Sequence, residues 1–247
     1  QDIKQNVGIS PDNTQLTNIH AKANFHLGDN MVANYTFLDA AKTKQGRGAS
    51  ASRPPATTWN QGGNCCIHTG KLQYTINDNN YVEAQYNFTN LGFFLEPQGG
   101  REVPVRYDLS TGIWGESYYF YDTKRPLKNA RLDANSYIAG ADVDHELKYG
   151  YSYRHAETNS VFGAAGGAIA FYRDGVPYAA RLKADSIDNY GNTRHSLYLG
   201  DTISADRLTL NVGLRYDRQA SESFPSDSHA NVCAPSVFAA VTIEGDD

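Results

Sequence analysis

Apolar and polar residues alternate with a period of two along most of this 247-residue chain. In the clearest segment every second residue is apolar, in the order Leu208, Leu210, Val212, Leu214 and Tyr216. The intervening positions include the polar residues Thr209, Asn211, Arg215 and Asp217. Because successive side chains of a β-strand point to opposite faces, this pattern predicts strands with one apolar and one polar face. No run of about 18 apolar residues, which would indicate a transmembrane helix, occurs.

The alternating segments come in four pairs, which predict about eight strands of roughly 9–12 residues, a length that suits a tilted membrane strand. Within a pair the connection is short, at Gly28–Asn30, Asn77–Asn80, Gly140–Asp144 and Thr202–Asp206. Between pairs we expect long loops over residues 41–66, 90–126 and 157–192, and a loop-like tail over 221–247. Short turns at one end and long loops at the other are typical of outer-membrane barrels. The predicted fold class is therefore all-β, an antiparallel up-and-down transmembrane β-barrel of about eight strands with long extracellular loops.

The alternative is a soluble antiparallel sandwich or barrel, in which the apolar faces form an ordinary core. Loops longer than about 12–15 residues are uncommon in compact domains, which favours the membrane barrel. In a membrane barrel the polar strand face lines the lumen, and the predicted lumen-facing residues are Arg131, Asp133, Lys148, Arg154 and Arg215. We expect these charges to be hydrated or ion-paired, because a dry core would make them costly.

Several segments resemble strands of TonB-dependent outer-membrane receptors, most closely the Oar-like ones. They are LTLNVGLRYD (208–217), HELKYGYSYR (145–154), YLGDT (198–202), GFFLEPQGG (92–100) and SYYFY (117–121). The similarities follow the family order from about Thr58 to Gly245. The resemblance implies a plugged barrel of about 22 strands that takes up a ligand with energy passed on by TonB.

On this resemblance, residues 1–247 are part of a receptor β-barrel domain, with the plug and the C-terminal strands absent. We therefore expect the strands near Thr14–Leu27 and Leu208–Arg218 to leave free edges rather than to pair with each other. The implied partners are the lipid of a Gram-negative-type outer membrane, the TonB system acting through a plug, and a carbohydrate or peptide ligand. A small self-contained β-barrel or an extracellular β-domain, acting as a binding or structural module, is the alternative.

Aromatic residues stand next to cations in the long loops. The candidate ligand-binding residues are Trp114, Tyr118, Tyr119, Tyr121, Arg125, Tyr172, Arg173 and Tyr178. Aromatic faces and cationic donors suit sugar or peptide ligands. The alternative is that these rings only pack the loops together.

The chain carries no catalytic motif, so we expect no enzyme activity, no cofactor and no metal. The 22 Lys and Arg against 27 Asp and Glu give a net charge of −5, which argues against nucleic-acid binding. A barrel enzyme would need a Ser/His pair near the outer rim, and none stands out. The adjacent Cys65 and Cys66 are either free thiols or include one partner for Cys233.

Overall fold

The computed structural model describes residues 2–7, 10–231, 233, 234, 236 and 239–245. The described part consists of β-strands, their connections and two short 3-10 helices, Pro55–Thr57 and Ala165–Gly167. The all-β, antiparallel prediction is therefore confirmed. No helix among the described residues has the length and apolar character needed to cross a membrane.

The strands are numbered in chain order. They are β1 (Asp2–Val7), β2 (Ser10–His26), β3 (Met31–Arg47), β4 (Trp59–Asn77), β5 (Asn80–Pro97), β6 (Val105–Asp108), β7 (Trp114–Gly115), β8 (Tyr119–Ile138), β9 (Asp144–Ala164), β10 (Ala168–Arg173), β11 (Val176–Leu182), β12 (Ser186–Ala205), β13 (Leu208–Ser223), β14 (Ser226–Ser228) and β15 (Val241–Ile243).

One antiparallel sheet contains nine of these strands, in the spatial order β1-β2-β3-β4-β5-β8-β9-β12-β13. Eight of its strands are 16 to 21 residues long, which is longer than the sequence pattern predicts. Long strands continue into the segments expected to be loops, as β5 does to Pro97 and β8 does from Tyr119. There the residues no longer alternate, as in the aromatic run Tyr118–Tyr121, because both faces of the strand have packing partners. Tyr119 and Tyr121 pack against Phe162, and Phe120 on the other face packs against Arg101. The tail also differs from the expectation, since β14 pairs with β15.

The strand register keeps the polar face continuous across the sheet. Arg131 on β8 lies opposite Ser152 on β9, which lies opposite Ser196 on β12, which in turn lies opposite Asp217 on β13. Directly opposed residues of an antiparallel pair project from the same face. The polar residues of successive strands therefore form rows that cross the sheet.

The apolar face is equally continuous, and none of the residues that the structure describes covers it. Leu132 lies opposite Tyr151, which lies opposite Leu197, and Leu214 on β13 is 82% exposed. On β13 this face runs over about nine residues, or roughly 30 Å at about 3.3 Å per residue. A strand tilted by about 40° would then span roughly 23 Å, close to the apolar band of about 25 Å in outer-membrane barrels.

The two predicted sheet edges differ from each other. In the described residues β13 pairs with β12 alone and does not pair with β2. The edge expected at Thr14–Leu27 is partly covered, because β1 folds back on β2 and Ile3 lies opposite Thr14. The expectation of an unpaired strand is therefore wrong for the first residues of that segment.

Candidate functional site

The long connections build a second, smaller sheet above the ends of the main strands. Its spatial order is β11-β10-β6-β7. Strands β6 and β7 come from the connection between β5 and β8, and β10 and β11 come from the connection between β9 and β12. Strand β10 lies parallel to β6, so two connections far apart in the chain share one sheet.

A small apolar cluster holds this sheet to the main one. Val105, Ala164, Ala165 and Ile169 are at most 3% exposed. Four partly buried aromatic residues pack around them, namely Tyr107, Trp114, Tyr119 and Phe171. Burial of apolar surface at this junction gives the connections a defined structure.

Three of the predicted ligand-binding residues pack against one another at this junction. The ring centroids of Trp114 and Tyr118 are 4.9 Å apart, and those of Tyr118 and Tyr119 are 5.1 Å apart. Tyr119 also stacks on Phe162 at 5.2 Å, with an angle of 14° between the ring planes. Part of the surface of each ring is therefore used within the protein.

Arg53 lies in a third connection and holds it against the same junction. Its guanidinium carbon lies 4.3 Å from the ring centroid of Trp59 and 3.8 Å from that of Tyr118. Its Nη2 atom donates a hydrogen bond to the carbonyl oxygen of Thr57. Burial lowers the pKa of Arg53, and the charge of Tyr118 opposes that change. Sequence reasoning missed this residue, because its aromatic partners lie in separate segments.

Tyr121 and Arg125 lie on β8, below the small sheet. Nη2 of Arg125 donates a hydrogen bond to the Tyr121 hydroxyl at 3.0 Å. That hydroxyl donates in turn to Oγ of Ser160 on β9 at 3.2 Å. The two predicted residues are therefore brought together as a hydrogen-bonded pair.

The remaining candidates lie at the β10–β11 hairpin. The Arg173 guanidinium lies 4.1 Å from the ring centroid of Tyr178, whose side chain is 58% exposed. Arg106 occupies the corresponding place over Tyr172, also at 4.1 Å. The turn uses Asp174 and a following glycine with positive φ angles of 51° and 77°. This hairpin presents aromatic rings and cations to the surroundings.

A cleft of about 160 Å³ lies where the connections meet the tail, and sequence reasoning missed it. Arg101 lines it and donates hydrogen bonds to Glu96 at 2.6 Å and to Asp122 at 2.8 Å. Asp185 lines it too, and burial raises the pKa of this carboxyl, although His229, Arg101 and Lys183 act to lower it. The lining residues come from connections distant in sequence, so no local motif marks the cleft.

The predicted lumen-facing residues share the polar face of the main sheet. Three of its cations form ion pairs with carboxylates two residues away on the same strand. The pairs are Arg131 with Asp133, Lys148 with Glu146 at 2.9 Å, and Arg215 with Asp217 at 2.9 Å. Arg154 lies on the same face, opposite Arg194 on β12. Arg194 was absent from the sequence-based set, although its alternation with His195, Leu197 and Leu199 marks it as a polar-face residue.

An antiparallel sheet with an exposed apolar band on one face and rows of charged residues on the other defines a barrel-wall protein of the outer-membrane type. The family model for the TonB dependent receptor-like beta-barrel matches residues 5–240. The chain belongs to that family. The resemblance inferred from the sequence is thus confirmed at the level of the family.

Solved structures support the same fold at low sequence identity. The outer membrane transporter YddB from Escherichia coli is 12% identical with a TM-score of 0.64, over 87% of this chain and 30% of YddB. The siderophore receptor PiuA from Acinetobacter baumannii is 14% identical with a TM-score of 0.58, over 97% of this chain and 39% of PiuA. The closed form of the ferric-catecholate import receptor Fiu from E. coli K12 is 13% identical with a TM-score of 0.60, over 99% of this chain and 43% of Fiu.

The chain thus spans between 30% and 43% of the length of these three solved proteins. No curated protein sequence matches it.

Proposed function

We propose that this chain forms part of the barrel wall of an Oar-like TonB-dependent transporter in the outer membrane of a Gram-negative bacterium. The observation that carries the proposal is the separation of the two sheet faces across eight long strands. The apolar band contacts lipid, and the charged face lines a hydrated lumen. Membership of the receptor family supports this reading.

In this proposal the small sheet lies outside the cell and captures a ligand. The exposed Arg173–Tyr178 pair and the Arg106–Tyr172 pair make first contact. Trp114, Tyr118 and Tyr119 support that surface from below, and the Tyr121–Arg125 pair lies towards the lumen. Rings paired with cations suit a carbohydrate or a peptide.

Passage follows when a plug, moved by TonB, opens the lumen, and no covalent chemistry is involved. YddB is described as an outer membrane transporter, PiuA as a siderophore receptor and Fiu as an import receptor. These descriptions support uptake as the general activity and leave the ligand of this chain to experiment.

The assignment of the two faces is tested with one fluorophore at two adjacent positions. Arg131→Cys and Leu132→Cys are made separately after Cys65, Cys66 and Cys233 are replaced by serine, and each new thiol is labelled with bimane. In vesicles of brominated phospholipid, bimane at position 132 should be quenched and bimane at position 131 should not. Equal fluorescence at both positions, with the protein monomeric in buffer without detergent, would establish the soluble alternative instead.

Transport is tested in cells that produce the receptor, with and without TonB. Uptake of a fluorescent oligopeptide mixture is compared with uptake of a fluorescent oligosaccharide mixture. We expect one mixture to be taken up only when TonB is present. An Arg173→Ala, Tyr178→Ala variant should reduce that uptake, while Arg207→Ala, in the turn at the opposite end of the sheet, should not.

A further inference from the structure

Between β5 and β13, one row of the polar face carries two positive charges and no negative charge. Its members, from β5 to β13, are Asn87, Asn129, Arg154, Arg194 and Gln219. The row above it, towards the small sheet, contains no charged residue: Thr89, Leu127, Ala156, Asn192 and Ser221.

The two arginines are direct cross-strand neighbours. Arg154 on β9 and Arg194 on β12 lie opposite each other in register. Opposed side chains of an antiparallel pair begin about 4.5–5.5 Å apart, and like charges in this position repel each other. In the part of the chain that the structure describes, neither arginine side chain forms a hydrogen bond or an ion pair.

The carboxylates in the neighbouring rows already have partners. Asp217 accepts hydrogen bonds from Arg215 and from Oγ of Ser196. Asp133 accepts from Tyr198 and forms an ion pair with Arg131. Lys71 and Glu83 are paired in the same way at 2.7 Å. Arg194 also attracts Asp217 electrostatically, but that carboxylate forms its ion pair with Arg215. The Arg154–Arg194 pair therefore has no carboxylate of its own on a face where the neighbouring charges are paired.

A hollow of about 220 Å³ lies beside the two arginines. Besides Arg154 and Arg194, its lining includes the ion-paired Arg131 and the side chains of three uncharged residues, Gln85, Asn129 and Ser152. Among the described residues, these three side chains also have no hydrogen-bond partner. Two guanidinium groups, two amides and a hydroxyl thus surround one space with their donors free.

We propose that Arg154 and Arg194 form an anion-binding site that takes the carboxylate or phosphate group of a small solute. The planar fork of an arginine matches both groups with two parallel N–H···O bonds. Asn129, Gln85 and Ser152 donate to the remaining oxygens of the anion. The site rests on the proposed function in one respect: it takes the polar face to be a hydrated lumen.

Along the strands, the pair lies at the end of the apolar band nearest the small sheet. Arg154 follows the last ring of the band on β9, Tyr153, and Arg194 lies opposite Gln219, just beyond Tyr216 and Arg218. An anionic solute that passes the small sheet would meet this pair before it reaches the ion-paired rows.

The test is calorimetric titration of the receptor, purified in detergent, with inorganic phosphate and, separately, with succinate. We expect saturable binding of at least one of the two anions. Arg154→Gln with Arg194→Gln should weaken that binding at least about tenfold. The matched control is Lys22→Gln with Arg207→Gln, which removes two positive charges elsewhere and should leave binding within about twofold of the unmodified protein.

A further variant guards against loss of the fold. Arg154→Lys with Arg194→Lys keeps the charge but removes the planar fork, and should give intermediate binding at an unchanged melting temperature. Equal binding in the glutamine variant and the unmodified protein would overturn the proposal. Absence of anion binding would also overturn it.

This experiment is independent of transport, because it needs neither TonB nor a membrane. Anion binding without TonB-dependent uptake would refute the proposed function and leave the site in place. TonB-dependent uptake without anion binding would support the proposed function and refute the anion-binding site.

Discussion

Tyr198 on β12 donates a hydrogen bond to Asp133 on β8 across the strand that separates them. The residue between the two, on β9, is Gly150, which lies opposite both. A β-carbon at Gly150 would come within 2.6 Å of the carbonyl oxygen of Leu132, and within 2.7 Å of Oδ1 of Asp133 and of Cε1 of Tyr198. The hydrogen bond therefore depends on the absence of a side chain at position 150, and it ties three strands of the polar face together.

Gly150→Ala should destabilise the protein by about 1–3 kcal/mol, because the methyl group collides with the backbone at Leu132 and forces Tyr198 or Asp133 to move. Gly70→Ala is the matched control, since a β-carbon at this strand glycine meets nothing within 4 Å. That change should leave stability unchanged or raise it by less than about 1 kcal/mol. Urea unfolding in detergent measures both. Equal effects would show that the Tyr198–Asp133 bond does not need the glycine.

The apolar face gives a second prediction. Val212 is 50% exposed in the middle of this face on β13. Val212→Arg should lower the free energy of unfolding from lipid vesicles by about 2–4 kcal/mol if the residue lies near the bilayer midplane. Asn211→Arg, one residue away on the polar face, should lower the free energy of unfolding by no more than about 1 kcal/mol. That is about the contribution of the hydrogen bond that Asn211 accepts from Thr202. Similar costs at the two positions would contradict the assignment of the faces.

Period-two alternation was sufficient to predict which residues share a face. Arg131, Asp133, Lys148, Arg154 and Arg215 project from one face because the register pairs their rows strand by strand. The pattern is strong there because each face has a single environment, and a one-residue slip would reverse every side chain.

The upper parts of the strands and the small sheet were not predictable in the same way. Their order depends on contacts between segments far apart in sequence, such as β6 beside β10 and Arg53 between Trp59 and Tyr118. Alternation carries no information about such contacts. The Asp185 cleft was missed for the same reason, since its walls come from several connections and the tail.

The position of Arg53 between two rings gives a third prediction. A cation–π contact contributes about 0.5–1 kcal/mol at an exposed site and about 2 kcal/mol when water is excluded. Arg53→Ala should therefore destabilise the protein by about 2 kcal/mol or more. Arg173→Ala is the control, because it removes a similar contact at 4.1 Å from the exposed Tyr178 and should cost less than about 1 kcal/mol. Thermal unfolding of both variants measures how much the Arg53 side chain, with its ring contacts and its hydrogen bond to Thr57, stabilises the third connection.

The Asp185 carboxyl gives a prediction about pH. Burial raises its pKa in the folded protein above the ordinary value near 3.9. Below both pKa values the carboxyl is protonated in the folded and in the unfolded state, so its ionisation does not lower the free energy of unfolding. As the pH rises through the unfolded pKa, the unfolded chain releases its proton first, so stability falls until the folded pKa is passed. Above that point the loss is constant.

Asp185→Asn should remove this loss. The variant should melt at a higher temperature than the unmodified protein at pH 7, and the two melting temperatures should converge as the pH falls towards 3.5. Asp206→Asn, at a turn with a positive φ of 50° on the opposite end of the sheet, provides a control without burial. If Asp185→Asn melts at a lower temperature at pH 7, then attraction to Arg101, Lys183 and His229 outweighs burial, and the carboxylate is a stabilising part of the cleft.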